Sequence, residues 1–204
     1  MTGTLIVLEG PDGAGKTSLA DALLHRYQTA GTNARIVWFP GREVGSLGEV
    51  VYRLHHANPE LGVRSITPAA VQALHIAAHL DAIQAVIKPF LRNGGTVILD
   101  RSWWSTWVYG VVSGVNEAIL ANLVAAEKAA WGGDLPAHVI LLDRESPLRA
   151  EEASKWSRLR QAYHQLANSE NGTYPIHVVG NDGPQEKALE AVWGIINTQT
   201  GSVA

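Results

Sequence analysis

The sequence predicts an α/β fold: a five-stranded parallel sheet with helices on both faces. Three observations predict it. Five short, continuously apolar runs rich in β-branched residues, Leu5–Leu8, Ala34–Phe39, Thr96–Leu99, Ala137–Leu142 and Ile176–Val179, have the length of strands buried on both faces. Each run ends abruptly in polar, Gly or Pro residues: Glu9-Gly10, Pro40-Gly41-Arg42, Asp100-Arg101, Asp143-Arg144 and Gly180-Asn181-Asp182. Segments with helical spacing fill the intervals, as right-handed crossovers between parallel strands require.

The first strand is followed by a helix from Lys16 to about Thr29, in which Leu19, Leu23 and Leu24 recur on one side. The Gly31-Thr32-Asn33 turn closes it before the second strand. A glycine-rich connection, Pro40 to Gly48, leads into a shorter helix. Thr67 can cap a long helix with Pro68 at its first position, and that helix is expected to run to about Asn93-Gly94. The third, fourth and fifth strands follow with helices between them, and a last helix spans about Pro184 to Asn197. No repeat, low-complexity tract or linker interrupts the chain, so residues 1–204 are expected to form a single domain.

Composition narrows the function. With 46% hydrophobic and 17% charged residues the chain is globular rather than disordered or coiled-coil. Sixteen Lys and Arg against 19 Asp and Glu give a net charge of −3, so no global positive field exists for a nucleic-acid backbone. The absence of cysteine removes disulfides, Cys-ligated zinc and thiol nucleophiles. No basic n-region precedes the first strand and no later apolar run approaches the ~20 residues of a membrane span. A cytoplasmic protein without a membrane partner is the expectation.

Gly10-Pro-Asp-Gly-Ala-Gly15-Lys16-Thr17 matches G-x-x-x-x-G-K-[ST] at every fixed position, between a predicted strand and a predicted helix. That is the phosphate loop of a P-loop NTPase fold. Its N–H groups, from Asp12, Gly13, Ala14, Gly15, Lys16, Thr17 and Ser18, can turn inward on phosphate oxygens. Lys16 can bridge the β and γ phosphates of ATP, and the Thr17 hydroxyl can ligate Mg²⁺. Asp12 within the loop suits either a sugar hydroxyl or the turn-forming role of Asp in Pro-Asp-Gly. Asp100, at a strand end, is a second candidate Mg²⁺ ligand, and Glu9 a weaker one.

Leu8-Glu-Gly-Pro-Asp-Gly-Ala-Gly-Lys-Thr17, Trp38-Phe-Pro-Gly-Arg42, Ala77-Ala78, Val86-Ile-Lys-Pro89 and Leu99-Asp-Arg101 with Ser105 and Tyr109 together resemble the thymidylate kinase family. The resemblance covers roughly residues 3 to 110 and resumes at Trp156 to Ala167, with Arg158, Arg160 and Tyr163. It implies transfer of the γ-phosphoryl of ATP to a deoxynucleoside 5′-monophosphate, dTMP or a related, 5-modified pyrimidine nucleotide; a homodimer is expected. It places Arg42 and Arg101 on the acceptor phosphate, Asp12 on the 3′-hydroxyl, Phe39 in the pocket wall, and Ser105 and Tyr109 near sugar and base. Two arginines at the carboxyl edge of the sheet suit an acceptor that is itself a phosphate, because bidentate guanidinium contacts fix an anion in line for attack. Two other readings are a kinase of a modified base within DNA and an ATP-binding regulatory protein.

The pattern departs from the family twice. His75 and His79 stand where the resemblance implies a stacking phenylalanine and a base-contacting arginine, and Gln72 lies one turn earlier. The two histidines fit a metal pair, a packed structural role or substrate contact. Between Asp143 and Trp156 only about a dozen residues stand in for a longer lid, with Arg144, Arg149 and Lys155 as its cations. Trp103, Trp104 and Trp107 suit core packing, a dimer face or an enlarged base pocket.

Overall fold

A computed structural model describes residues 3–41, 43–56, 62–63 and 65–198. The strands are β1 (Thr4–Glu9), β2 (Ala34–Trp38), β3 (Thr96–Asp100), β4 (His138–Asp143) and β5 (Ile176–Gly180). All pairings are parallel, in the order β2-β3-β1-β4-β5. The helices are α1 (Lys16–Thr29), α2 (Leu47–His56), α3 (Pro68–Ala82), α4 (Lys88–Arg92), α5 (Trp103–Val112), α6 (Glu117–Trp131), α7 (Ala153–Ser169) and α8 (Gln185–Thr198).

Alternation along each strand divides the core in two. Val7, Val97, Leu99, Val139 and Leu141 face one side, under α5, α6 and α7. Ile6, Leu8, Ile98, Ile140 and Leu142 face the other, under α1 and α8. A strand covered on both faces is apolar at every position, which is why these runs read as continuous. Trp103 and Trp104 are buried in the first of these cores and Trp107 packs against it, so this cluster takes the core alternative.

Thr67 caps α3, its side chain accepting from Ala70 N, with Pro68 at the first turn as expected. The long helix departs from expectation at its far end. Ile83–Ile87 form a π-helical turn between α3 and α4, immediately before Pro89. A proline there has no N–H for the carbonyl one turn back and crowds it, and a widened turn relieves both. A second expectation needs correcting: Pro68–Arg92 is, by length and composition, long and apolar enough to cross a membrane. Gln72, His75, His79 and Asp81 interrupt the apolar residues of this helix without lowering its mean hydropathy far. Here that helix lies against α2, α5 and α6.

The register brings Leu8 of β1 and Trp38 of β2 level with Asp100 of β3, and Glu9 level with Leu141 of β4. The carboxyl ends of three adjacent strands therefore deliver Glu9, Phe39, Asp100 and Arg101 to one edge.

Candidate active site

Gly10 to Gly15 turns the chain from β1 into α1. Gly10 (φ +138°) and Gly15 (φ +98°) adopt backbone that side chains disfavour, and each is also sterically closed. A Cβ on Gly10 would stand 2.7 Å from Leu142 O, and one on Gly15 would stand 2.3 Å from Asn181 Nδ2. Lys16 opens α1 and its side chain is buried, Nζ donating to Gly10 O and Pro11 O at 2.8 Å each. Burial and the Arg101 charge pull its pKa down to about 7 against the opposing pull of Asp100, Asp12 and Glu9.

Beside the loop, Thr17 Oγ1 donates to Asp100 Oδ2 at 3.1 Å, while Asp100 Oδ1 is buried with no hydrogen-bond partner among the described residues. A hydroxyl and an orphaned carboxylate oxygen side by side are hard donors of the kind Mg²⁺ takes. The residues fit that ion.

Arg101 follows Asp100 with φ 80°, a left-handed conformation held by its N–H to Leu8 O at 3.0 Å. Its guanidinium donates to Asp12 Oδ1 at 2.5 Å and Ser105 Oγ at 2.8 Å and lies over the Tyr109 ring. Burial alone would raise Asp12, but the Arg101 and Lys16 charges hold its carboxyl at about 2. Tyr109 grips the same residue, accepting from Asp12 N at 2.9 Å and donating to Oδ2 at 3.0 Å. Beneath them Glu9 is wholly buried and accepts from Ser102 N, Ser102 Oγ and Ser105 Oγ at 2.6–2.8 Å, with Tyr163 OH at 3.3 Å. Burial raises its pKa above the usual range, against Arg101 and the serine donors. Arg101 is thus braced from below by a hydrogen-bonded acid and from the side by Asp12.

A cleft of about 700 Å³ opens from Arg101 and Asp12 toward α2 and α3, walled by Phe39, Ser105, Tyr109, His75 and His79 among others. A smaller hollow over the phosphate loop adjoins it, and Asp12, Phe39, Arg101 and Arg149 line both. Phe39 stacks on His79 with ring centres 3.9 Å apart, and His79 Nδ1 stands 2.6 Å from Glu127 Oε2. His75 lies 6.3 Å from His79 and 5.5 Å from His55, ring to ring. Among the described residues no set of three His, Cys, Asp or Glu side chains could hold a metal, so the metal-pair reading finds no third ligand. Gln72 Oε1 and Thr106 Oγ1 are buried in the same wall with no hydrogen-bond partner among the described residues.

The short lid is stitched to the loop. Leu148 N donates to Gly13 O at 3.0 Å, and from the end of β5 Asn181 Nδ2 also ties the loop, donating to Ala14 O at 2.7 Å. Arg144 is bound to the Ser146 and Asn181 carbonyls, Lys155 to Glu151, and Arg160 to Asp143 through two hydrogen bonds. Of the three cations in this segment only Arg149 forms no ion pair or hydrogen bond within the described residues, and it borders both hollows.

Asp12, Gly13, Gly15, Lys16, Thr17, Ser18, Phe39, Asp100 and Arg101 thus line the loop hollow, and Asp12, Phe39, His75, His79, Arg101, Ser105 and Tyr109 line the adjoining cleft. Arg42 lies outside the described residues. Glu127, behind His79, and Thr106, in the cleft wall, join these surroundings without a motif in the sequence. No local pattern marks Glu127, which meets His79 only because α6 packs on α3.

A family model described as thymidylate kinase matches residues 8–174. The curated thymidylate kinase of Chlamydia trachomatis serovar L2 (strain 434/Bu) is 37% identical over 170 residues, spanning 78% of this chain and 79% of its own. That of serovar D is 37% identical over 169 residues, 78% of each chain. The crystal structure of thymidylate kinase from Ehrlichia chaffeensis superposes with a TM-score of 0.76 at 20% identity, over 96% of this chain and 99% of that one. This last likeness speaks to the fold.

Proposed function

The chain belongs to the thymidylate kinase family, and on that premise we propose that it transfers the γ-phosphoryl group of ATP to dTMP, giving dTDP and ADP. The observation that carries this reading is the junction of two hollows at Asp12 and Arg101. One is floored by a phosphate loop and the other is lined by aromatic and polar side chains suited to a nucleoside.

In the reaction an oxygen of the acceptor phosphate forms a bond to the γ-phosphorus as the bond to the β–γ bridging oxygen breaks. The acceptor oxygen is already anionic, so no general base is needed, and the protein's work is alignment and neutralisation of charge. Loop N–H groups and Lys16 hold the donor phosphates. Arg101, locked by Asp12 and Ser105, and Arg42 hold the acceptor phosphate, and Arg149 approaches from the lid. Mg²⁺, held by Thr17 and Asp100, would neutralise charge on the donor phosphates. Phe39, His75, His79, Ser105 and Tyr109 contact the nucleoside.

We assign the reaction to the cytoplasm and the chain to a homodimer, whose contact face would include the exposed Val44, Leu47 and Val50 near the start of α2. Coupled measurement of ADP release tests the activity across a panel of deoxynucleoside monophosphates. Release that dTMP accelerates well above the acceptor-free rate is expected, and release that no monophosphate accelerates overturns the reading. The same panel with a modified-base DNA separates a free nucleotide acceptor from a polymer.

A further inference from the structure

Glu127, in α6, is wholly buried, and phosphoryl transfer makes no use of it. A carboxyl group taken out of water needs donors, and three groups reach this one. Trp103 N and Trp131 Nε1 donate to Oε1 at 3.1 and 3.3 Å, and His79 Nδ1 stands 2.6 Å from Oε2. The two tryptophan groups can only donate, so they orient the carboxylate irrespective of His79. A carboxylate offers only lone pairs, which puts the proton of the third contact on Nδ1. In a neutral imidazole the other nitrogen then carries a lone pair. That nitrogen, Nε2, sits on the opposite ring edge of a residue that borders the cleft, and the parallel Phe39 ring holds the imidazole plane. In the same wall the buried oxygens Gln72 Oε1 and Thr106 Oγ1 have no hydrogen-bond partner among the described residues.

We propose that Glu127 is a positioning residue that fixes His79 in its Nδ1–H form, so that Nε2 accepts the N3–H of a thymine or uracil base. This rests on the dTMP reading and adds which base edge is read and by what polarity. N3–H is the one N–H donor on a thymine ring in a nucleotide. Cytosine carries a lone pair at N3, so Nε2 would meet it lone pair to lone pair in a desolvated site, and the discrimination comes from that mismatch as much as from the matched bond.

The test is Glu127→Gln. The amide keeps an oxygen for the tryptophan donors and turns its NH₂ on Nδ1, which moves the imidazole proton to Nε2. Wild-type turnover of dTMP is measured first; without it the substrate reading and this inference fall together. Given turnover, the variant is expected to lose roughly 30-fold in kcat/KM for dTMP, mostly through KM for dTMP, with KM for ATP unchanged. The ratio of dTMP to dCMP should fall by more than that, because cytosine N3 now faces a donor. A folded variant with an unchanged ratio overturns the inference. If the variant does not fold, long-range ¹H–¹⁵N NMR on the wild-type protein decides, with the His79 signals assigned by their loss in His79→Gln. Protonated Nδ1 and bare Nε2 are expected, and the reverse tautomer overturns the proposal.

Discussion

Held between two loop carbonyls, Lys16 gives up its proton near pH 7, whereas in the unfolded chain it would keep it to about 10.4. Between those values the unfolded state binds more protons, so this residue makes the ligand-free protein more stable as pH rises through that window. Below about pH 7 its buried charge is a standing cost. Lys16→Met should therefore stabilise the ligand-free protein most below pH 7, with the gain fading toward pH 10, as urea denaturation at several pH values would record. The same variant should lose turnover by roughly 10²-fold to 10³-fold or more, since the cation faces charge that develops in transfer. For the wild type, kcat/KM for ATP should decline above about pH 7, and the kcat profile should decline later, because bound phosphates favour the charged amine. Arg101→Ala should cut kcat/KM for the monophosphate by roughly 10²-fold to 10³-fold with ATP affinity little changed. Steady-state kinetics with each substrate varied separates the two sites, and a collapse of ATP binding would move Arg101 to the donor side.

The strand-to-helix turn that carries the loop has no room for a side chain at its start. Gly10→Ala would bring a Cβ against the Leu142 carbonyl of β4 and force a residue with a side chain into φ +138°, at a cost of about 1–3 kcal/mol. Thermal denaturation should show the loss, with weakened ATP binding alongside it, because β4 and the loop must both shift. This element was legible in the sequence since everything it needs, the glycines, Lys16 and Thr17, is contiguous. The strands were legible for a related reason: burial on both faces leaves no polar position to break the run. What escaped was built across elements. Glu9, Ser102, Ser105 and Tyr163 form one buried network although Glu9 and Tyr163 are 154 positions apart, and Glu127 lies 48 positions from His79. Pairings of that kind depend on how α5, α6 and α7 pack, and no local periodicity records it. The π-helical turn did have a signal, Pro89 inside an otherwise helical pattern.

At the scale of the whole molecule, the site is closed by a lid of few residues in which Arg149 is the one cation unengaged among the described residues. Such a cover excludes water poorly, so ATP hydrolysis without an acceptor should be measurable by phosphate release, and Arg149→Ala should slow phosphoryl transfer more than it changes that leak. Hydrolysis below detection would mean that closure is completed by something else, such as a second subunit. The sheet order β2-β3-β1-β4-β5 has a temporal meaning as well. The strand made first lies in the middle, and its two neighbours arrive only after long stretches of chain have been synthesised. The phosphate loop is tied at Ala14 by Asn181, 167 positions later. The nucleotide site thus draws on segments far apart in the chain, and it is complete only once both have been made. ATP can stabilise the finished protein by binding it but cannot guide its assembly, so an emerging chain must keep β1 from wrong partners without the help of its own ligand.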